Sequence, residues 1–311
     1  MVGSARDNFL SGLNAFVSAS AEESVTAANA VGGFLRRGMT VAAFNLLETF
    51  LDDRMQELAA HVNGGTTQFL DLPERLQRRA ISQTLDVANT RLRRGALEIN
   101  ELRDFSRTVG GNLSAVANDL NLSAFTWLWT GSNVSAEELG RVFSYLQIES
   151  PWEAALGIGG KLGYATKDGD GADIDLKADL QELAADRHRS AHVASHPVTS
   201  LWLRAVPNRI MRIAVAVDIM SSASAHLIRT GDYEFLLGRK WHPKSRLKFR
   251  FVRQRSNDHG EYVGDAKRAF RKSTSGDQLY LAASSRCVDY EVLVRQDIAG
   301  NVLTWSIPCV G

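Results

Sequence analysis

Up to about residue 232 the apolar positions recur at steps of three and four. Between Met39 and Val62, the residues Leu47, Leu51, Met55, Leu58 and Val62 form one stripe, with Glu48, Asp52, Asp53 and Glu57 between them. Such spacing predicts an amphipathic helix with a buried face and an acidic rim. Asn63-Gly64-Gly65 ends it, with glycine expected in a left-handed cap. Leu72-Pro73-Glu74 opens a second helix with proline in its first turn, continuing through Leu76, Ala80, Ile81, Leu85 and Leu92.

Ser135-Ala136-Glu137-Glu138 is a capping box, in which hydroxyl and carboxylate satisfy each other's backbone N–H groups. Leu139, Val142, Phe143 and Leu146 follow as a buried face, and Pro151 closes the element. Gly157 to Asp175, rich in glycine and aspartate, reads as a loop. Leu176 to about His196 and Val206 to Arg229 are the last two predicted helices. The second holds the most apolar run, Ile210 to Ile228, but Arg212, Asp218 and His226 interrupt it. Charge at mid-span is costly in lipid, so this is expected to be a buried helix.

After Gly231 the period shortens to two. Arg246-Leu-Lys-Phe-Arg-Phe-Val-Arg alternates charged and apolar residues, and Leu279-Tyr-Leu, Tyr290 to Val294 and Val302 to Ile307 read as further strands. The predicted architecture is a mainly α helical bundle over residues 1–232, followed by a small antiparallel β-domain over 233–311.

At 311 residues the chain is long enough for two cores without disulfide or metal staples. Its net charge of +1 is uninformative about partners, but its distribution is not. From Arg239 to Gly311 there are 14 Lys and Arg against 7 Asp and Glu, whereas the rest carries 22 against 28. A segregated basic segment points to an anionic partner. The two cysteines, Cys287 and Cys309, form no pairing framework and fit a reducing cytosol. The first ten residues lack the apolar run of a secretory signal, so a cytoplasmic location with no membrane attachment is expected.

Candidate chemistry concentrates in Asp186-Arg187-His188-Arg189-Ser190-Ala191-His192, which follows the stripe Leu176, Leu180, Leu183, Ala184. Arg187 and His192, separated by four residues, resemble the Arg-x4-6-His signature of the HEPN superfamily, whose arginine is commonly followed by a polar residue, here His188. Arg189 and His196 satisfy the six-residue spacing and rank second, because Pro197 pushes His196 out of helical geometry. Phe44-Asn-Leu-Leu-Glu-Thr-Phe-Leu-Asp-Asp resembles the early HEPN helix that carries a buried glutamate, here Glu48. Asn133-Val134-Ser135 and Pro151-Trp152 are similar to the element that precedes the motif helix in bacterial members. The resemblance covers roughly the first 230 residues and none of the β-segment.

This resemblance implies a metal-independent endoribonuclease without a cofactor, acting as a homodimer in bacterial defence or toxin–antitoxin conflict, with RNA as substrate and an antitoxin or defence protein as partner. His192 is then the general acid or base, since imidazole titrates near neutrality, and Arg187 the permanent cation facing the phosphorane. His188 and Glu48 support them, although Glu48 is equally read as an ordinary ion pair on an acidic helix edge. On a regular helix Arg187 and His192 stand about 140° apart. Convergence therefore needs a helix break at the motif or pairing across a two-fold axis. Arg246, Lys248, Arg250 and Arg253 serve either RNA phosphates or the protection of an edge strand.

Rival chemistries are weaker. His188, His192 and His196 step by four, as three metal ligands on one helical face would, but no glutamate adjoins them and Pro197 interrupts the helix. Gly157-Ile-Gly-Gly-Lys-Leu-Gly lacks the Ser/Thr of a phosphate loop, and Asp168-Gly-Asp-Gly-Ala-Asp lacks the glycine and glutamate of a calcium loop. The competing class is a non-catalytic HEPN scaffold that binds nucleotide or RNA, or dimerises.

Overall fold

A computed structural model describes residues 4–93, 98–114, 120–127, 134–167 and 174–310. Asn133 and the Asp168 to Asp173 segment lie outside these residues. Three helices open the chain: α1 (Ala5–Ser20), α2 (Glu23–Thr26) and α3 (Ala30–Asn63). The third is longer than its apolar stripe predicted, because Asn29 caps it by accepting from the Gly32 amide. At its far end Gly64 has φ −83°, so the expected left-handed cap is absent. Glycine is needed next door instead. A Cβ on Gly65 would stand 2.6 Å from the Arg229 carbonyl oxygen, so the α3 exit packs directly on backbone.

The helical part continues with α4 (Glu74–Arg93), α5 (Ile99–Ser114), α6 (Ala136–Tyr145), α7 (Pro151–Lys161), α8 (Leu176–His192) and α9 (Ser200–Arg229). Ser135 caps α6 by accepting from the Glu138 amide, one half of the predicted capping box, while the Glu138 carboxylate pairs with Arg141. Pro151 does not merely close α6; it is the first residue of α7. The predicted loop from Gly157 is therefore helical as far as Lys161. Its glycines hid a face on which Ala154, Ala155 and Ile158 are buried. Helix α9 is the central core helix, and the most apolar stretch of it is 94% buried inside the fold.

Two short helices, α10 (Tyr233–Leu236) and α11 (Pro243–Arg246), lead to β1 (Lys248–Gln254), β2 (His259–Val263), β3 (Arg271–Ser273), α12 (Gly276–Ser284), β4 (Glu291–Gln296) and β5 (Val302–Ser306). The sheet order is β3-β2-β1-β4-β5. It is mixed rather than wholly antiparallel, because β1 and β4 run parallel. Parallel neighbours need a crossover, and α12 lies within it. Leu279-Tyr-Leu, expected as a strand, falls in this helix: Ser275 accepts from the Gln278 amide, Leu279 is buried and Leu281 is 74% exposed.

One hydrophobic core runs from the helices into the sheet. Phe249, Phe251, Val292, Val294 and Trp305 belong to the same packed cluster as Phe9, Phe44, Phe50 and the α9 interior. Trp305 meets Phe9 and Phe50 edge-on, at ring-centroid distances of 6.4 and 6.1 Å. The opposite sheet face is covered by α12, through Val252, Leu279, Ala283 and Leu293. Strand β1 is thus covered on both faces, which explains why its interior is buried without alternation.

Candidate active site

Asp175 starts α8 by accepting from the Lys177 and Ala178 amides, and Leu176, Leu180 and Leu183 bury one face. The helix stays regular through His192 and ends at Val193 in extended conformation. No break occurs within the motif, so Arg187 and His192 diverge around the axis and make no hydrogen bond with each other. Arg187 is half-buried, and its Nε is enclosed with no hydrogen-bond partner. Glu48 on α3 is half-buried nearby and accepts from the Val134 amide. Burial lifts the Glu48 carboxyl above the usual glutamate range, against the opposing pull of that amide and of the Arg187 charge. The Arg187 charge thus acts on Glu48, with no ion-pair contact between the two.

His188 and His192 are exposed, and their rings lie 4.7 Å apart at an angle of 51°. One helical turn separates them, so their close, tilted approach follows directly from the i, i+4 spacing.

The second-ranked pair converges instead. Asp186 is buried and accepts from the Arg189 guanidinium, and its Oδ1 stands 3.5 Å from His196 Nε2. Pro197 does keep His196 out of the helix, but the chain then folds back so that His196 reaches Asp186. Arg36 of α3 fixes this return by donating from Nε to the Val198 carbonyl at 2.6 Å. With His196 held on Asp186, the three histidines do not form a metal-ligand set among the described residues.

Of the four cations expected to meet RNA, Arg246 ends α11, and Lys248, Arg250 and Arg253 lie on β1. This is the middle strand of the sheet, not an edge, so edge protection does not apply. Arg250 is buried between Glu261 and Glu291 and cannot meet a phosphate. Arg246 is committed to Asp232, and Arg253 bonds to Gln296 while stacking over Phe251 and Tyr262. Lys248 alone of the four is exposed without an ion pair.

A different basic surface emerges at the true edge strand. Lys267, Arg268, Arg271 and Lys272 are all exposed, around a Phe270 that is 63% exposed and sits 5.5 Å beneath the Arg271 guanidinium. Four cations in six residues around an aromatic were visible in the sequence. The run lacks the period-two alternation of β1, so its pattern does not mark it as a strand face. A cavity of about 650 Å³ lies elsewhere, between α7 and the start of β1, lined by Ile158, Lys161, Lys244, Lys248 and Phe249. The α8 motif residues take no part in it.

No protein-family model matches this chain, and neither a curated protein nor a solved structure matches it.

Proposed function

We propose that this chain is a metal-independent endoribonuclease that cleaves RNA by attack of a ribose 2′-OH on its own phosphate, and that it works as a homodimer. The observation that carries this reading is the end of α8. Arg187 lies in the field of Glu48 on α3, while His188 and His192 are presented to solvent. An exposed imidazole can move a proton at neutral pH, and a guanidinium can stabilise the developing phosphorane charge. The two groups diverge within one protomer, so the complete site is assigned to two α8 helices facing across a two-fold axis. The Lys267 to Lys272 surface supplies sequence-independent capture of the RNA backbone, with Phe270 offering a stacking platform. The HEPN resemblance adds a setting in bacterial defence or toxin–antitoxin conflict, in the cytoplasm, with an antitoxin-like partner.

The same divergence of Arg187 and His192 favours a second reading, a non-catalytic HEPN scaffold that binds nucleotide or RNA. Incubating the purified protein with total RNA in EDTA separates the two. Cleavage leaving 2′,3′-cyclic phosphate ends, absent in His192→Ala, supports the enzyme. RNA binding without cleavage in any condition supports the scaffold.

A further inference from the structure

At the far end of α9 from the motif helix, His226 is buried, its side chain 9% exposed, and neither ring nitrogen has a hydrogen-bond partner. A neutral imidazole has one donor and one acceptor to satisfy, and buried polar atoms are nearly always satisfied. The rings of Tyr290 and His61 flank it at 5.2 and 6.2 Å, so its flanks are packed while its nitrogens remain unused.

Two further donors close on it from distant parts of the chain. Asp289, just before β4, places Oδ1 3.6 Å from His226 Nε2, and Cys309 follows β5 in the C-terminal turn. The three ligand atoms all lie within 4.8 Å of one another. Asp289 has no Lys or Arg partner among the described residues, and the Cys309 thiol is free. Burial pushes the Cys309 thiol above its ordinary range, and a backbone hydrogen bond from Tyr290 offsets this only in part.

We propose that His226, Asp289 and Cys309 bind a zinc ion, which fastens the C-terminal turn to the end of α9. One nitrogen, one oxygen and one sulfur donor suit zinc, whose borderline character accepts all three. Tetrahedral zinc spaces its donors by roughly 3.3–3.8 Å, given bond lengths of about 2.0–2.3 Å. The histidine and aspartate already stand at that spacing, and Cys309 reaches it by a shift of about 1 Å or less. Carboxylate and thiolate neutralise the ion's charge. The Asp289 side chain is 69% exposed, so the site opens to solvent, giving the ion an entry path and water the fourth position. This site is separate from Arg187 and His192 and stands whether or not the chain cleaves RNA.

The test uses the full chain, stripped with chelator, dialysed and titrated with zinc sulfate. The expected result is one zinc per chain and a higher melting temperature. Cobalt should give a thiolate-to-metal charge-transfer band, because Cys309 is a ligand. Asp289→Asn, an exposed change that spares the core, and Cys309→Ser should each weaken binding by at least about tenfold. Cys287→Ser, which alters the other thiol, should leave affinity and the cobalt band intact. Failure to bind zinc stoichiometrically, a cobalt spectrum without the sulfur band, or equal affinity in Asp289→Asn and the parent protein would overturn the proposal.

Discussion

Trp305 on β5 donates its indole N–H to the Asp218 carboxylate in the middle of α9, at 2.7 Å. The same carboxylate accepts from Arg6 Nε and Arg54 Nε, each at 2.6 Å, and from Ser222 Oγ at 2.8 Å. Two guanidiniums, a hydroxyl and an indole thus compensate one fully buried charge, and α1, α3, α9 and β5 meet there. Breaking a buried ion pair from one side leaves the partner charge uncompensated, typically at a cost of about 3–5 kcal/mol. Asp218→Asn removes the carboxylate that Arg6 and Arg54 share, leaving Arg54 its pair with Glu57, and is expected to fall in that range. Trp305→Phe removes one of four donors and should cost about 1–3 kcal/mol. Urea unfolding of both variants ranks them; a Trp305→Phe protein less stable than Asp218→Asn would contradict this hierarchy.

Acid should act through the same residue. The neighbouring guanidiniums hold the Asp218 carboxyl well below the usual aspartate range despite its burial. Its contribution to stability is complete above the ordinary value of 3.8 and is lost as pH falls toward the depressed folded value. Unfolding midpoints measured downward from neutrality should decline less steeply in Asp218→Asn than in the parent.

Glu48 should show the opposite sign. Its folded carboxyl binds a proton more tightly than the ordinary value of 4.5 implies. The stability from this group is present in acid and is lost as pH rises through the folded value. Glu48→Gln should flatten the stability profile just above the ordinary glutamate range. An unchanged slope there would show that the Val134 amide and the Arg187 charge offset the effect of burial on this carboxyl.

If each site takes Arg187 from one protomer and His192 from the other, two inactive variants should complement. Equimolar Arg187→Ala and His192→Ala subunits, refolded together, form heterodimers in half of all dimers, and each has one intact site of two. About a quarter of parental activity should return. No recovery in verified heterodimers would show that both groups act within one protomer.

RNA affinity should track the edge-strand cations rather than β1. Neutralising Arg268 and Arg271 together should lower the slope of log K against log salt by about 1.4, at about 0.7 per phosphate contact on a single strand. Phe270→Ala should cost about 1–3 kcal/mol on single-stranded RNA. An unchanged slope would remove this surface from the RNA path.

The helices were legible wherever a polar rim framed the apolar stripe, as in α3, α4 and α8. α7 was hidden because glycine serves both loops and close helix packing, and only Ala154, Ala155 and Ile158 betray it. α12 was misread because three residues, Leu279-Tyr-Leu, are too few to separate a period of two from one of 3.6. The cations of β1 misled for a different reason. Alternation says which residues share a face, not what covers it, and here Glu261 and Glu291 cover Arg250. At the end of α8, the approach of His188 to His192 was readable from their i, i+4 spacing. The role of Asp186 was not, since it depends on the return of the chain through His196 and on Arg36, distant in sequence.

The junction at Asp218 also sets an order of events during synthesis. Arg6, Arg54 and Asp218 emerge from the ribosome long before Trp305, and the edge-on packing of Trp305 against Phe9 and Phe50 cannot form until β5 is released. Until then the Asp218 carboxylate lacks its indole donor, and the edges of Phe9 and Phe50 lack the ring that covers them. The junction at Asp218 is therefore completed only when β5 has been released and Trp305 can reach it.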